Sequence, residues 1–456
     1  MAIARRAPGL WMCAGLWLAA AGLCAAAAAA RGAEPAKDQK SKVEQPAVQD
    51  LNGRFPPKPS LAPTWSLSVD SLGFAPPGPL YLGQRNALAS LDFLNENQIL
   101  FTFRVPALLH RVPGEDQADE REIRAVVLDL PSGALDSERS WMVYDRARYL
   151  WMLHDGHFLL RQGNDLMEGD ASLQLTPLLH FPGPLLTVEM DPTQTYLVTN
   201  SREPVKQAPQ DSSADGSGQS GPGSSDGEEN SDESRNPPDI VVRIMNLATR
   251  RVMLVSRVPS LIHLPVNQDG YLGSLRGKGV EWAVDLSHFS GGDRILSYVK
   301  SACMPDLDFL SSTLVLATAC TENGDDALVA MNTAGNTLWI DIASDRLIWP
   351  LLTMSEDGLR FVRESLYVSH GLNAFNPLGS DDIKGQSVKV FDSANGKVVF
   401  ESPATPILDA GGNVAISPSG RRVAVLNAGA IQVFELPPPA PLPPPGAPAA
   451  QARPGR

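Results

Sequence analysis

Four consecutive residues, His154-Asp155-Gly156-His157, hold the densest candidate chemistry in the chain. Two imidazoles and a carboxylate are familiar zinc ligands. Their setting argues otherwise. Asp-Gly is a tight-turn dipeptide, and apolar runs stand on both sides of it in RYLWMLHDGHFLLRQ (148–162). A hairpin turning at Asp155-Gly156 leaves His154 and His157 beside the turn, facing solvent, so no metal site is expected there.

Other catalytic signatures are missing from the sequence. There is no Gly-x-Ser-x-Gly elbow, no His-Glu-x-x-His helix, no phosphate loop and no dinucleotide fingerprint. The seven histidines are scattered. No catalytic residue is assigned and no cofactor is expected. The net charge of −13 argues against nucleic acid as a partner, because phosphate binding needs a basic surface.

The cysteines carry a clearer message. Arg5 and Arg6 precede the apolar run GLWMCAGLWLAAAGLC and an alanine tract, the order of a secretory signal with cleavage near Ala30. Residues 9–30 are long enough to span a bilayer, but their alanine-rich end is only weakly apolar, which favours cleavage over a retained anchor. AGLC at 21–24 is a poor lipid-attachment site. No other segment is long and apolar enough to span. A periplasmic or extracellular location follows. Only Cys303 and Cys320 would remain, and an oxidising compartment favours a disulfide between them.

These residues must be positioned by some fold. Three segments do not contribute to it. Residues 31–62 read as a disordered leader, 203–238 as a disordered acidic insert with almost nothing apolar, and 437–456 as a disordered proline-rich tail. Between them one pattern recurs seven times: an apolar strand, a tight turn, a second apolar strand. Examples are LASLDFLNENQILFTFR (88–104), LLTVEMDPTQTYLVTN (185–200) and NVAISPSGRRVAVLN (413–427). Second strands begin near Ile99, Phe158, Tyr196, Tyr271, Leu314, Phe361 and Val423. Most are followed by another strand pair, such as IVVRIMNLATRRVMLVSRV (240–258). A four-stranded unit repeated seven times predicts an all-β, seven-bladed β-propeller over 63–436 with antiparallel blades. A long β-sandwich is the competing arrangement, but it has no fixed four-strand grammar.

The turns SPSG (417–420), SEDG (355–358) and NQDG (267–270) are similar to the Ser-Pro-Asp-Gly turn of WD40-like and YVTN-type bacterial propellers. VKVFDSANGKVVF (388–400) resembles their third-to-fourth-strand hairpin, and MNTAGNTLW (331–339) resembles quinoprotein-type blades. The resemblance implies a fold and no specific activity.

Two structural expectations follow. The last unit has three strands and then Pro437-Pro438-Pro439, which cannot continue a central strand. The alternating segment TWSLSVDSLGF (64–74) lacks a partner and is expected to pair with 431–436, closing the ring. In CMPDLDFLSSTLVLATAC a two-residue turn at Ser311-Ser312 sets Leu310 opposite Thr313, and so Cys303 opposite Cys320, within disulfide reach. Such a bridge would contribute roughly 3 kcal/mol.

With strands labelled a to d outward from the axis, the long insertions fall between b and c: 105–122 in blade 1, 201–239 in blade 3 and 366–387 in blade 6. These connections share one face, and loops on a rigid scaffold commonly carry binding. His110, Arg111, Tyr367, His370, Asn373 and Phe375 are the binding candidates on it. Two functions remain. One is a non-catalytic binding scaffold, expected as a monomer, for a protein, peptide or glycan; the missing motifs favour it. The other is a propeller hydrolase or lactonase with carboxylates and histidines at the channel mouth.

Overall fold

The computed structural model describes residues 58–78, 82, 86–106, 110–111, 119–130, 132–144, 148–203, 240–321, 326–343, 347–370 and 379–442. The segment read as a signal, most of that read as a leader, nearly all of the acidic stretch 203–238 and the end of the proline-rich stretch 437–456 lie outside them.

The chain forms a seven-bladed β-propeller of antiparallel sheets. Blade 1 comprises Ala89–Asn95, Gln98–Arg104, Asp119–Asp129 and Leu135–Tyr144, with the two-residue strand His110–Arg111 added against the third. Blade 2 comprises Leu150–Met152, Phe158–Gln162, Asp165–Gly169 and Leu175–His180. Blade 3 comprises Leu185–Met190, Tyr196–Arg202, Ile240–Asn246 and Arg251–Val258. Blades 5 and 6 begin with Asp306–Ser311 and Leu347–Met354 and follow the same order. The expected second strands start within one residue of their places.

Blade 4 departs from the four-strand grammar. It has three strands, Gly270–Arg276, Glu281–His288 and Asp293–Lys300. Its inner position is an irregular segment joined to the sheet by one bridge, Val266 to Tyr271. Pro265 lacks the N–H a ladder needs. Blade 3 side chains satisfy this backbone instead: Asn200 Nδ2 donates to Ile262 O (3.1 Å), and Leu264 N–H donates to Glu189 (3.2 Å).

The ring closes as expected. Trp65–Ser68 pairs with Ala430–Glu435, with Trp65 opposite Val433 and Ser68 opposite Ala430. The following turn plugs the joint: Val69, Leu72 and Phe74 are buried, and Phe74 meets Phe101 and Phe103 edge-on.

The core is divided among the blade interfaces. Seven apolar clusters lie one between each neighbouring pair, including blades 7 and 1. The strand period of two explains this. In Arg422–Asn427, Val423 and Val425 face blade 6, while Ala424 and Leu426 face blade 1. A central strand of this kind is therefore buried on both faces, unlike a half-solvated sheet.

The a–b turns share one device. A short polar side chain at the turn's start accepts from backbone N–H groups further on. Asp191 takes Thr193, Thr195 and Tyr196, Asn267 takes Asp269 and Gly270, and Ser355 takes Arg360. Gly358 is left-handed (φ 65°), and a Cβ there would meet Leu310 O at 2.6 Å.

Cys303 and Cys320 are bonded, with Cα atoms 5.5 Å apart. Their route differs from the expected register. A bulge between Phe309 and Ser311 shifts the ladder by one, so that Asp306 faces Thr318. Cys303 lies before the strand and reaches its partner because the Ala302 N–H donates to Cys320 O (2.8 Å), and Cys320 N–H to Ser301 Oγ (3.0 Å).

Contacts continue past the last strand to Leu442, which packs on the cluster between blades 5 and 6. Fully buried Arg360 helps to hold this stretch. Its Nε donates to Asp392 (3.0 Å), Nη1 to Gly420 O (2.7 Å), and Nη2 to Pro437 O. No helix among the described residues is long and apolar enough to cross a membrane.

Candidate functional site: the central channel

The inner strands enclose a channel with two communicating chambers. The upper, of about 310 Å³, lies where these strands begin, beside Ala87, Ala89 and the loop Ala410-Gly411-Gly412. The lower, of about 410 Å³, lies where they end, beside Leu94, Leu153, Pro192, Met354 and Pro418. The b–c connections sit at the opposite end of each second strand from the a–b turns. The lower mouth therefore opens on the face away from the long loops.

Carboxylates dominate the lower chamber. Asp92, Glu189, Asp191, Asp306, Asp308 and Glu356 line it, against Arg148 and His263. The irregular inner segment of blade 4 delivers His263. Its Nδ1 donates to Glu189 (2.9 Å) and its Nε2 to Leu307 O (2.8 Å), with Asp308 at 3.6 Å and Asp306 at 3.7 Å. With acceptors at both nitrogens, the ring must be imidazolium. Burial among the blades opposes that charge, although 41% of the side-chain surface stays open to the channel. Hydrogen bonds and charge from Asp308 and Glu189 outweigh it and push the imidazole up to about 12. One imidazolium cannot neutralise three carboxylates. Burial, and then the charges of Asp308 and Glu189, raise the Asp306 carboxyl above its ordinary range.

His154 is half-exposed, as expected beside a turn, but its ring is engaged on both nitrogens. Asp155 adopts a left-handed conformation (φ 58°) in the short turn His154–Gly156. The His154 Nδ1 meets Glu356 of blade 6 and its Nε2 meets Thr193 O of blade 3. Partial burial disfavours the charge, but the Thr193 carbonyl and Glu356 carboxylate raise the pKa overall. His157 pairs instead with Glu168 (3.1 Å). The two histidines thus point to different partners. Among the described residues no group of three or more His, Cys, Asp or Glu is arranged to hold a metal.

The upper chamber holds Arg148, Asp92 and Glu364. Arg148 Nε donates to Leu150 O (3.0 Å), and its guanidinium lies over Trp151, 5.7 Å from the ring centroid. Asp92 accepts from Ser90 Oγ. Burial raises the Asp92 carboxyl, against the opposing effects of Ser90 and the Arg148 charge. Gly412 (φ 102°) seals the wall where a Cβ would stand 2.0 Å from Ala89 O.

Glu364 is buried against Gln386, whose own amide is fixed by Leu408 N–H and Leu408 O. Burial pushes its carboxyl up to about 8. A folded-state value above the unfolded one means that the folded chain holds this proton more tightly. Its stabilising effect is full below about pH 4.5 and declines by up to about 1.4 kcal/mol per pH unit until about pH 8. Glu364→Gln should therefore be more resistant to urea than the parent at pH 9 and nearly equal to it at pH 5. Equal midpoints at both pH values would contradict this assignment.

The loop-face candidates do not converge. Tyr367 is 3% exposed inside the strand Arg360–Val368, because blade 6 pairs beyond the expected loop boundary and leaves only 369–382 as connection. His370 stands at that loop's base, 3.4 Å from Asp382. His110 and Arg111 form a two-residue strand opposite Glu120 and Asp119. Asn373 and Phe375 lie outside the described residues.

The channel residues were missed in the sequence, yet a signal was there. Asp92, Glu189, Asp306 and Asp308 interrupt the first, innermost strand of their hairpins, where apolar residues would have served packing alone. Glu189 and Asp191 in VEMD, and Asp306 and Asp308 in DLD, keep the two-residue spacing of one strand face.

No protein-family model and no curated protein matches the chain. Similar solved structures exist. One, titled as the crystal structure of the mitotic checkpoint complex, is 13% identical with a TM-score of 0.41, over 90% of this chain and 98% of that one. An acylaminoacyl peptidase bound to a chloromethyl ketone is 11% identical with a TM-score of 0.42, over 77% of this chain and 51% of its own. TolB from Acinetobacter baumannii is 12% identical with a TM-score of 0.33, over 72% and 79%. These likenesses concern the fold alone.

Proposed function

We propose that the protein is a non-catalytic binding module whose central channel accepts a positively charged group, an amine or guanidinium, carried by a ligand or partner. The observation that carries this reading is the excess of carboxylates from several blades around one cavity, where Asp306 is raised first by desolvation and then by the charge of Asp308. A bound cation would relieve that repulsion and release protons. The engagement of both His263 nitrogens supports binding over proton shuttling at that residue. The long-loop face, with His110, Arg111 and His370, is a separate surface for a protein, peptide or glycan in the same proposal. An exported location agrees with the Cys303–Cys320 disulfide, since reducing compartments rarely keep one.

Titration calorimetry with agmatine tests the channel. Binding should weaken as salt rises, and Asp306→Asn/Asp308→Asn should lower affinity by about tenfold or more. No agmatine binding, or binding indifferent to the double substitution, would overturn the reading.

A further inference from the structure

We propose that the channel ligand is zwitterionic: its anionic group sits on the Arg148 guanidinium while its cationic group lies among Glu189, Asp306 and Asp308. This rests on the channel reading above and extends it to a second recognition element.

Arg148 lines both chambers, at the place where they join. Only its Nε has a hydrogen-bond partner, Leu150 O, and the guanidinium plane is steadied over Trp151. The two terminal nitrogens make no hydrogen bond or ion pair among the described residues. Asp92 is near enough for its charge to be felt, yet it forms no ion pair with Arg148 and is engaged by Ser90. Two arginines elsewhere show the alternative, a guanidinium matched within the protein. Arg360 uses all three of its nitrogens, and Arg243 is paired with Glu203 at 2.6 Å. A steadied fork whose end is open to the channel is suited to a ligand carboxylate, which it can hold by two parallel bonds. Burial lowers the Arg148 pKa, and an arriving anion would favour its charged form.

The acidic cluster opens into the same lower chamber. A compact molecule bearing a carboxylate at one end and a guanidinium or ammonium at the other would address both elements. A basic amino acid has this chemistry, whether free or as the C-terminal residue of a peptide.

Three probes separate the possibilities: L-arginine, agmatine (which lacks the carboxylate) and Gly-Gly-Arg. Calorimetry on the full chain should show arginine or Gly-Gly-Arg binding at least about tenfold tighter than agmatine. Arg148→Gln should erase that advantage without weakening agmatine, because it removes a positive charge from the chamber that holds the cation. Arg148→Lys, which keeps the charge but loses the fork, should fall between. Tighter binding of free arginine than of the tripeptide identifies a free amino acid as the source, and the reverse identifies a peptide terminus. If agmatine binds as tightly as both other probes, or Arg148→Gln leaves their order intact, this inference fails while the channel reading stands. If none binds, both fail.

Discussion

Deletion of residues 58–75 should abolish the cooperative unfolding transition and drive the protein into aggregates. The segment supplies the fourth strand of blade 7 and the plug beneath it. Burial of Val69, Leu72 and Phe74 contributes about 1.5–3 kcal/mol each. Their sum is comparable with the whole stability of a typical domain, about 5–15 kcal/mol. Deletion also leaves Ala430–Glu435 as an unpaired edge, a template for association between molecules. Melting followed by circular dichroism, with light scattering recorded in parallel, checks this. A deletion variant that melts like the parent would refute the closure.

The second large effect is expected at Arg360. Its side chain is fully buried, joins blade 6 to blade 7 through Gly420 O, and reaches the chain beyond the last strand through Pro437 O. Arg360→Met would leave Asp392 charged and unpaired in the interior, with two carbonyls unmatched. Removing one partner of a buried ion pair typically costs about 3–5 kcal/mol. Denaturant titration should show that loss. Arg360→Met/Asp392→Leu should recover much of it, because no isolated charge remains. A loss below about 1 kcal/mol for the single variant would mean that solvent reaches Asp392.

Fold and site differed in how far the sequence exposed them. The repeat was legible because each blade buries both faces of its central strands and needs a polar turn between them. Blade boundaries are therefore written in local composition, as the apolar-to-polar transitions VAISPSG (414–420) and LLTMSEDG (351–358) illustrate through their capped turns. Closure was legible too, since Pro437-Pro438-Pro439 forbids a further strand and Trp65–Ser68 had no partner nearby. The channel was not. Its residues come from different blades and are brought together only by the ring, so no spacing along the chain links Arg148 to Glu189 or His263. His154 shows the same limit: its partner Glu356 is 202 positions away. Tyr367 erred in the other direction, because a strand that overruns its expected end hides residues read as loop.

The closing strand pair has a mechanical consequence. Trp65 lies opposite Val433, so the chain entering at Trp65 and the chain leaving at Glu435 emerge from the same end of an antiparallel pair. Tension drawn between these two segments would load the hydrogen bonds one after another, as in a zipper, instead of all together in shear. The anchors outside the seam, Ser60 on Glu401 and Pro437 and Leu442 on blades 5 and 6, therefore shield it: a pull must first release them before the closing pair unzips.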